Sequence, residues 1–290
     1  MEKPVASFDP ETVAHTVKLF AEKRALLTAD AIWAVTMDVI GHLAKTAPTP
    51  KSIVMPASGP VPLEEPDIDE ERLNAFCDTL ISPYPDQALA FLAEFQAEGL
   101  ARYKIYDLIG AAARRLGEGW DDDRLTFVDV TIGTGHLYAL LRAMQVEDVR
   151  QLSFAQPQKH ALFATVPNEC HSVGVTIAAN VFREAGWQVD LEVGLDHETL
   201  VEQVNRRTPN VIGLTLSTNE RLEDLARVIV AIRINAPTAI IGIGQGGEVE
   251  TDQLKAIVDF DLIFTDINIA LRDLEDMLRE QSVPNTPIIE

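Results

Sequence analysis

Val166-Pro167-Asn168-Glu169-Cys170-His171-Ser172-Val173-Gly174 is the stretch that decides the fold of this chain. The run leading into it, His160-Ala161-Leu162-Phe163-Ala164-Thr165-Val166, is short and apolar, as a buried strand is. The segment after it, Val173 to Ala185, carries its apolar residues at helical spacing. Glu169 and His171 therefore belong to the loop at the carboxyl end of a strand, the place where open α/β sheets bind ligands. A Glu-x-His pair there suggests a metal ligand and its partner. One imidazole nitrogen takes the metal, and the other donates its proton to the carboxylate, which fixes tautomer and orientation. Gly174, lacking a Cβ, lets a bulky ligand approach the helix start. A loop histidine is also a common solvated or capping residue, so the neighbours have to decide.

Outward from this stretch, the chain alternates strand and helix from His160 onward. Strands are expected at His160–Val166, Trp187–Val193, Asn210–Leu216, Thr238–Gly244 and Asp261–Phe264. Helices are expected at Val173–Ala185, Asp196–Arg206, Glu220–Asn235, Glu250–Val258 and Asp266–Glu280. Gly186, just past the first of these helices, reads as its stop. The pattern implies an α/β fold, a five-stranded parallel doubly wound sheet. No Gly-x-Gly-x-x-Gly follows the first strand, and neither a Walker loop nor a Gly-x-Ser-x-Gly elbow is present. At the ends of the third and fourth strands stand Thr215, Ser217 and Thr218, and then Gly244-Gln245-Gly246-Gly247. Hydroxyls beside open backbone can bind a polar ligand tail, and glycines make room for it. Taken singly, each is ordinary turn chemistry. Their convergence with Glu169 and His171 at one sheet edge makes a site.

Glu70 to Gln145 reads as four helices, near Glu70–Ile81, Asp86–Glu98, Arg102–Gly117 and Phe127–Gln145, with short connections that favour an antiparallel bundle. Gly133 and Gly135 lie inside the last helix at a cost of about 1 kcal/mol each relative to alanine. Close helix packing and a flat ligand explain them equally well. Trp120 is similarly core or a cap over a ring. Residues 1 to about 46 carry two further helical patterns, with His15 and His42 on them as polar-edge residues or ligands. The stretch from Thr46 to Asp69 holds six prolines and reads as a linker. The domain organisation expected is residues 1–69 as a helical extension and linker, 70–150 as a four-helix bundle cap, and 151–290 as a Rossmann-like ligand-binding domain.

Composition bounds the function. The chain has 290 residues, 47% of them hydrophobic, enough for full cores. Net charge is −21, from 45 acidic against 24 basic residues. Such a surface repels phosphate backbones and anionic lipid, so no direct nucleic-acid or membrane binding is expected. Any effect on genes would run through another protein. No run approaches the roughly 18 apolar residues of a membrane span. The start Met-Glu-Lys-Pro lacks a signal peptide's apolar core, so a cytoplasmic protein is expected. Cys77 and Cys170 do not make a disulfide framework. No paired carboxylates or nucleophile–base motif is visible, so the chain is not expected to be an enzyme.

A helical bundle before a five-stranded domain with Glu169-x-His171-x-x-Gly174 resembles the cobalamin-binding module, whose motif is Asp-x-His-x-x-Gly, then Ser-x-Leu, then Gly-Gly. A closer resemblance is to the AerR/PpaA-type photosynthesis antirepressors and SCHIC-type tetrapyrrole sensors of purple bacteria. It is carried by Leu116-Gly117-x-x-Trp120 with Asp122-Asp123, by Phe127-Val128-Asp129-Val130-Thr131-x-Gly133-x-Gly135, by Pro167-x-Glu169-x-His171, and by Phe182-Arg183-x-x-Gly186-Trp187. It spans residues 70 to 280. Glu169 replaces Asp, Thr215-x-Ser217 stands for Ser-x-Leu, and Gly244-Gln245 stands for Gly-Gly. Val130-Thr131 occupy the positions of a photoreceptor Glu-His pair. These departures leave a haem, a bilin or a tail-less tetrapyrrole open.

The resemblance implies a light- or redox-responsive regulator that binds cobalamin, adenosyl- or hydroxocobalamin, and acts on transcription by docking onto a DNA-binding repressor. A corrinoid carrier for methyl transfer is the alternative, and a homo-oligomer is compatible with either. It implies His171 as lower axial ligand and a cofactor site of Glu169, Ser172, Val173, Gly174, Thr215, Ser217, Thr218, Gly244, Gly246, Gly247, Thr265 and Asp266. Trp120, Phe127, Thr131 and Gly135 would approach the ring from the helical cap, and His136, His15 or His42 are candidate upper axial ligands.

Overall fold

The structure is a computed structural model that describes residues 68–144, 159–246, 249, 254–255, 257–264 and 266–282. They divide into two compact units, one on either side of the junction between Gln145 and Val146.

The first unit is helical: α1 Glu70–Leu80, α2 Pro85–Ala97, α3 Arg102–Asp121 and α4 Phe127–Ala143. Asp69 caps α1 by accepting from the Arg72 amide, and proline opens α2. Thr126 and Asp129 close a reciprocal capping box at α4. Phe76, Leu80, Leu92, Ile105, Leu108 and Leu141 are fully buried between the helices.

The expected end of α3 at Gly117 is corrected to Asp121. The stop is Asp123, in the left-handed region at φ 57. The Asp123 amide donates to Trp120 O and the Arg124 amide to Gly119 O, which closes the helix with an aspartate where glycine is usual. Gly119 instead serves packing. A Cβ there would come 2.7 Å from Leu125 Cδ1.

The second unit holds β1 His160–Thr165, α5 Val173–Glu184, β2 Gln188–Glu192, α6 His197–Arg207, β3 Val211–Leu216, α7 Leu222–Asn235, β4 Ile240–Gln245, β5 Leu262–Phe264 and α8 Ile267–Ser282. The five strands are all parallel, in the order β2-β1-β3-β4-β5. The expected five-stranded doubly wound sheet is therefore what forms, with strand ends shifted by one or two residues. α7 starts two residues later than expected, because a 3-10 turn at Asn219–Arg221 precedes it. The expected helix Glu250–Val258 lies mostly outside the described residues, as do His15, His42 and nearly all of the extension and linker.

Alternate residues of the strands feed two cores. Leu162, Ala164, Ile212, Leu214, Ile241 and Ile243 pack with α6 and α7. Ala161, Phe163, Val211, Ile240 and Phe264 pack with α5 and α8. Covering both faces is what lets these strands be apolar throughout. α5 ends as expected: Gly186 is left-handed at φ 84, and the Gly186 and Trp187 amides donate to Arg183 O and Phe182 O. The accompanying apolar contact is Trp187 on Phe182, with ring centroids 5.3 Å apart. Among the described residues, no helix is long and apolar enough to cross a membrane.

Candidate cofactor site

In this strand order the chain leaves β1 for one side of the sheet and β3 for the other. The crevice between their carboxyl ends is where such sheets take ligands. The β1 loop enters it through a tight turn. The Glu169 amide donates to Val166 O at 2.9 Å, with Pro167 second and Asn168 third at φ 65. A proline followed by a residue that tolerates the left-handed region suits such a turn. The turn drives the Glu169 side chain inward, leaving it 2% exposed.

A buried carboxylate is costly unless hydrogen-bonded. Here both oxygens are saturated. Oε1 accepts from the Cys170 amide at 2.8 Å, the His171 amide at 2.9 Å and His171 Nδ1 at 2.6 Å. Oε2 accepts from the Ser217 amide at 2.8 Å and the Ser217 hydroxyl at 2.7 Å. Burial alone would raise the Glu169 pKa, but the hydrogen bonds from His171 and Ser217 outweigh it and hold the group at about 2. Glu169 is thus an anion that ties the β1 loop to the end of β3.

His171 is the exposed end of this arrangement, with its side chain 62% accessible. Its Nδ1 also lies 2.6 Å from Ser217 Oγ. Because the Ser217 proton is given to Glu169, the Nδ1 proton is shared between Glu169 Oε1 and Ser217 Oγ. That fixes the tautomer and leaves Nε2 as the open metal donor. The Cys170 sulfur, 3.4 Å from Nδ1, and the Glu169 carboxylate raise the ring's pKa above its ordinary value. Glu169, Cys170 and His171 have ligating atoms within 4.8 Å of one another. Glu169 is already saturated, so the donors left are His171 Nε2 and, 4.0 Å from it, Cys170 Sγ. The sequence reading gave Cys170 no role, although its adjacency to a candidate ligand was visible.

The residues present fit a metal-centred ring. The donor is an imidazole with an anionic anchor behind it, and a metal would displace the proton that the raised pKa leaves on Nε2. Gly174 is exposed, and a Cβ there would meet nothing within 4 Å. Thr215 Oγ1 is buried without a hydrogen-bond partner. Ser172 is buried at the start of α5 and accepts from Thr176 through its carbonyl, and Val173 is half-buried beside it. Gly244 and Gly246 lie at the end of β4, with the Gly246 amide bonded to Leu216 O. Thr218 is half-buried just after β3. Asp266 caps α8 by accepting from the Asn268 and Ile269 amides. Gly247 and Thr265 lie outside the described residues.

The candidates from the helical unit are placed within that unit alone. Trp120 and Phe127 form an edge-on pair 6.4 Å apart, and the Thr131 hydroxyl bonds Phe127 O. Gly135 is half-buried on α4. Gly133 is a packing glycine, since a Cβ there would come 2.8 Å from Leu116 Cδ1. His136 is buried, with Nδ1 2.7 Å from Leu80 O, and burial lowers its pKa.

Residues 159–275 match the B12 binding domain family. An uncharacterized 20.5 kDa protein of the bchF-crtJ intergenic region in Rhodobacter capsulatus is 23% identical over 167 residues, 57% of this chain and 86% of that one. Among solved structures, the monomethylamine corrinoid protein of Methanosarcina barkeri superposes with a TM-score of 0.57 at 10% identity, covering 72% of this chain and 99% of that one. A cobalamin-binding protein of Desulfitobacterium hafniense covers 72% and 98% at 16% identity, with a TM-score of 0.40. The family match, on the fold just described, supports a cobalamin-binding module in residues 159–275.

Proposed function

We propose that this chain is a non-enzymatic cobalamin sensor whose ligand state governs its docking onto a DNA-binding transcription repressor. The observation that carries the cofactor half is the His171 ring, pinned through Nδ1 by Glu169 and Ser217 with Nε2 open at the β1/β3 crevice. When bound, a corrinoid would supply a cobalt centre capable of ligand exchange and, in alkyl forms, of light-driven chemistry. The chain's own residues do the rest. Glu169 keeps the proton on Nδ1, Ser217 stops the carboxylate from turning, and Gly174 leaves room at the start of α5. The regulatory half is supported by the resemblance to antirepressors and by the charge of −21, which suits a basic protein partner better than DNA.

The test is to load the full chain with hydroxocobalamin and adenosylcobalamin and record spectra in the dark and after illumination. The affinity of each state, and of apoprotein, for a purified candidate repressor is then measured at two salt concentrations. The expected outcome is a His-ligated spectrum, an affinity that differs between states, and weaker binding at higher salt. Equal affinity in all states would overturn the regulatory reading. Light-independent binding, with loss of the methyl group of bound methylcobalamin to a thiol acceptor, would assign a methyl carrier instead. A Soret band on the purified protein would assign haem.

A further inference from the structure

If His171 held the metal of a cobalamin, the base that otherwise holds it would have to lie elsewhere, against the carboxyl rim of the sheet that carries the His171 loop. On the face shared with α5 and α8, the first layer below the rim is Thr165, Thr215 and Gly244, neighbours in register across β1, β3 and β4. The next layer is closed. Phe163 lies on Gly213, where a Cβ would come 2.5 Å from the ring. Phe264 leans back over Gly242, where a Cβ would come 2.2 Å from the ring. Phe182 of α5 locks the two together, with centroids 4.8 Å from Phe163 and 6.3 Å from Phe264. None of these rings is more than 9% exposed.

Glycines inside strands mark places where another group approaches the backbone closely. Here the approaching group is the protein's own aromatic floor. A base pushed between sheet and α5 would have to evict interlocked rings from a close-packed core. Thr215 Oγ1, a buried polar atom without a hydrogen-bond partner, belongs to the layer above that floor.

We infer that Phe163 and Phe264 determine specificity by holding the ligand's tail at the Thr165–Thr215–Gly244 layer, so that the site selects for the ring and its metal and not for the base. This rests on the cobalamin reading and names the ligand class more closely: corrinoids with or without a nucleotide.

The test is a spectrophotometric titration of the full chain with aquocobalamin and with diaquocobinamide, which lacks the nucleotide. Cobinamide is expected to bind within about threefold of cobalamin or more tightly, because it has no base to displace. A preference for cobalamin beyond about threefold overturns the inference and leaves the cobalamin reading standing. No His-ligated spectrum with either ligand overturns that reading, and this one with it. Phe264→Ala, or Phe264→Leu if alanine does not fold, opens the floor and is expected to shift the ratio toward cobalamin. An unchanged ratio removes Phe264 from the role.

Discussion

His171 Nδ1 lies 2.6 Å from Glu169 Oε1, and the two side chains are 62% and 2% exposed. One end of the pair is buried anchor and the other is open donor. A metal bound at Nε2 would therefore be held by the core of the sheet through a single carboxylate.

Glu169→Gln keeps shape but replaces an acceptor with an amide beside two backbone donors. Corrinoid affinity is expected to fall by about 10–100-fold, the usual effect of removing a ligand's hydrogen-bond partner. Equilibrium titration with hydroxocobalamin measures it. Wild-type affinity would mean that the pair does not orient the ligand.

His171→Ala should abolish the His-ligated spectrum, while Ser217→Ala should keep it. Ser217→Ala removes one donor to a buried carboxylate, so the apoprotein should lose about 1–3 kcal/mol of stability. Denaturant unfolding monitored by circular dichroism distinguishes the two variants. A stable Ser217→Ala protein would show that the backbone amide alone satisfies Oε2.

Two helical glycines should respond in opposite directions. At exposed Gly117 a Cβ meets nothing within 4 Å, so Gly117→Ala should stabilise the helical unit by up to about 1 kcal/mol. At Gly133 a Cβ would press on buried Leu116, so Gly133→Ala should destabilise by about 1–3 kcal/mol. Thermal melts of both variants give the comparison. A stabilised Gly133→Ala protein would show that Leu116 gives way.

Burial lowers the pKa of His136 below its ordinary 6.5, so the unfolded chain binds the proton more readily. The contribution of this residue to stability is full above pH 6.5 and is lost as pH falls through its folded value. The stability difference between wild type and His136→Gln should narrow as pH drops below 6.5. A pH-independent difference would show that the ring does not titrate with folding.

Cys77 is buried, and burial, against the pull of Arg115, raises its pKa to about 11. Its contribution to stability is present below the ordinary thiol value of 9.0 and is lost as pH rises through 11. At pH 8 a disulfide reagent should therefore label Cys170 quickly and Cys77 only on unfolding. Rapid labelling of both thiols would show that the α1 side of the bundle opens readily.

The sequence by itself determined the strand–helix alternation, because apolar runs of strand length and helical periodicity are local properties of the chain. It also determined that Glu169 and His171 share a loop at a strand end, since two residues apart cannot be far apart. Gly186 was legible as a helix stop for the same reason: left-handed backbone is a cost that the residue type announces. The stop at Asp123 was hidden, because aspartate is an uncommon occupant of that conformation and two nearby glycines gave a stronger local signal. Only the tertiary structure decided what Gly133 and Gly119 are for, since the side chains that fill their space come from another helix and from a following loop. It also decided that Ser217, 46 residues from His171, closes the hydrogen-bond system around Glu169. That contact requires β3 to lie beside β1, a pairing set by long-range packing on both faces of the sheet. Phe163 and Phe264 read as ordinary strand residues until the assembled sheet set Gly213 beside Phe163 in register and brought the Phe264 ring diagonally over Gly242, and both placements are properties of the assembled sheet.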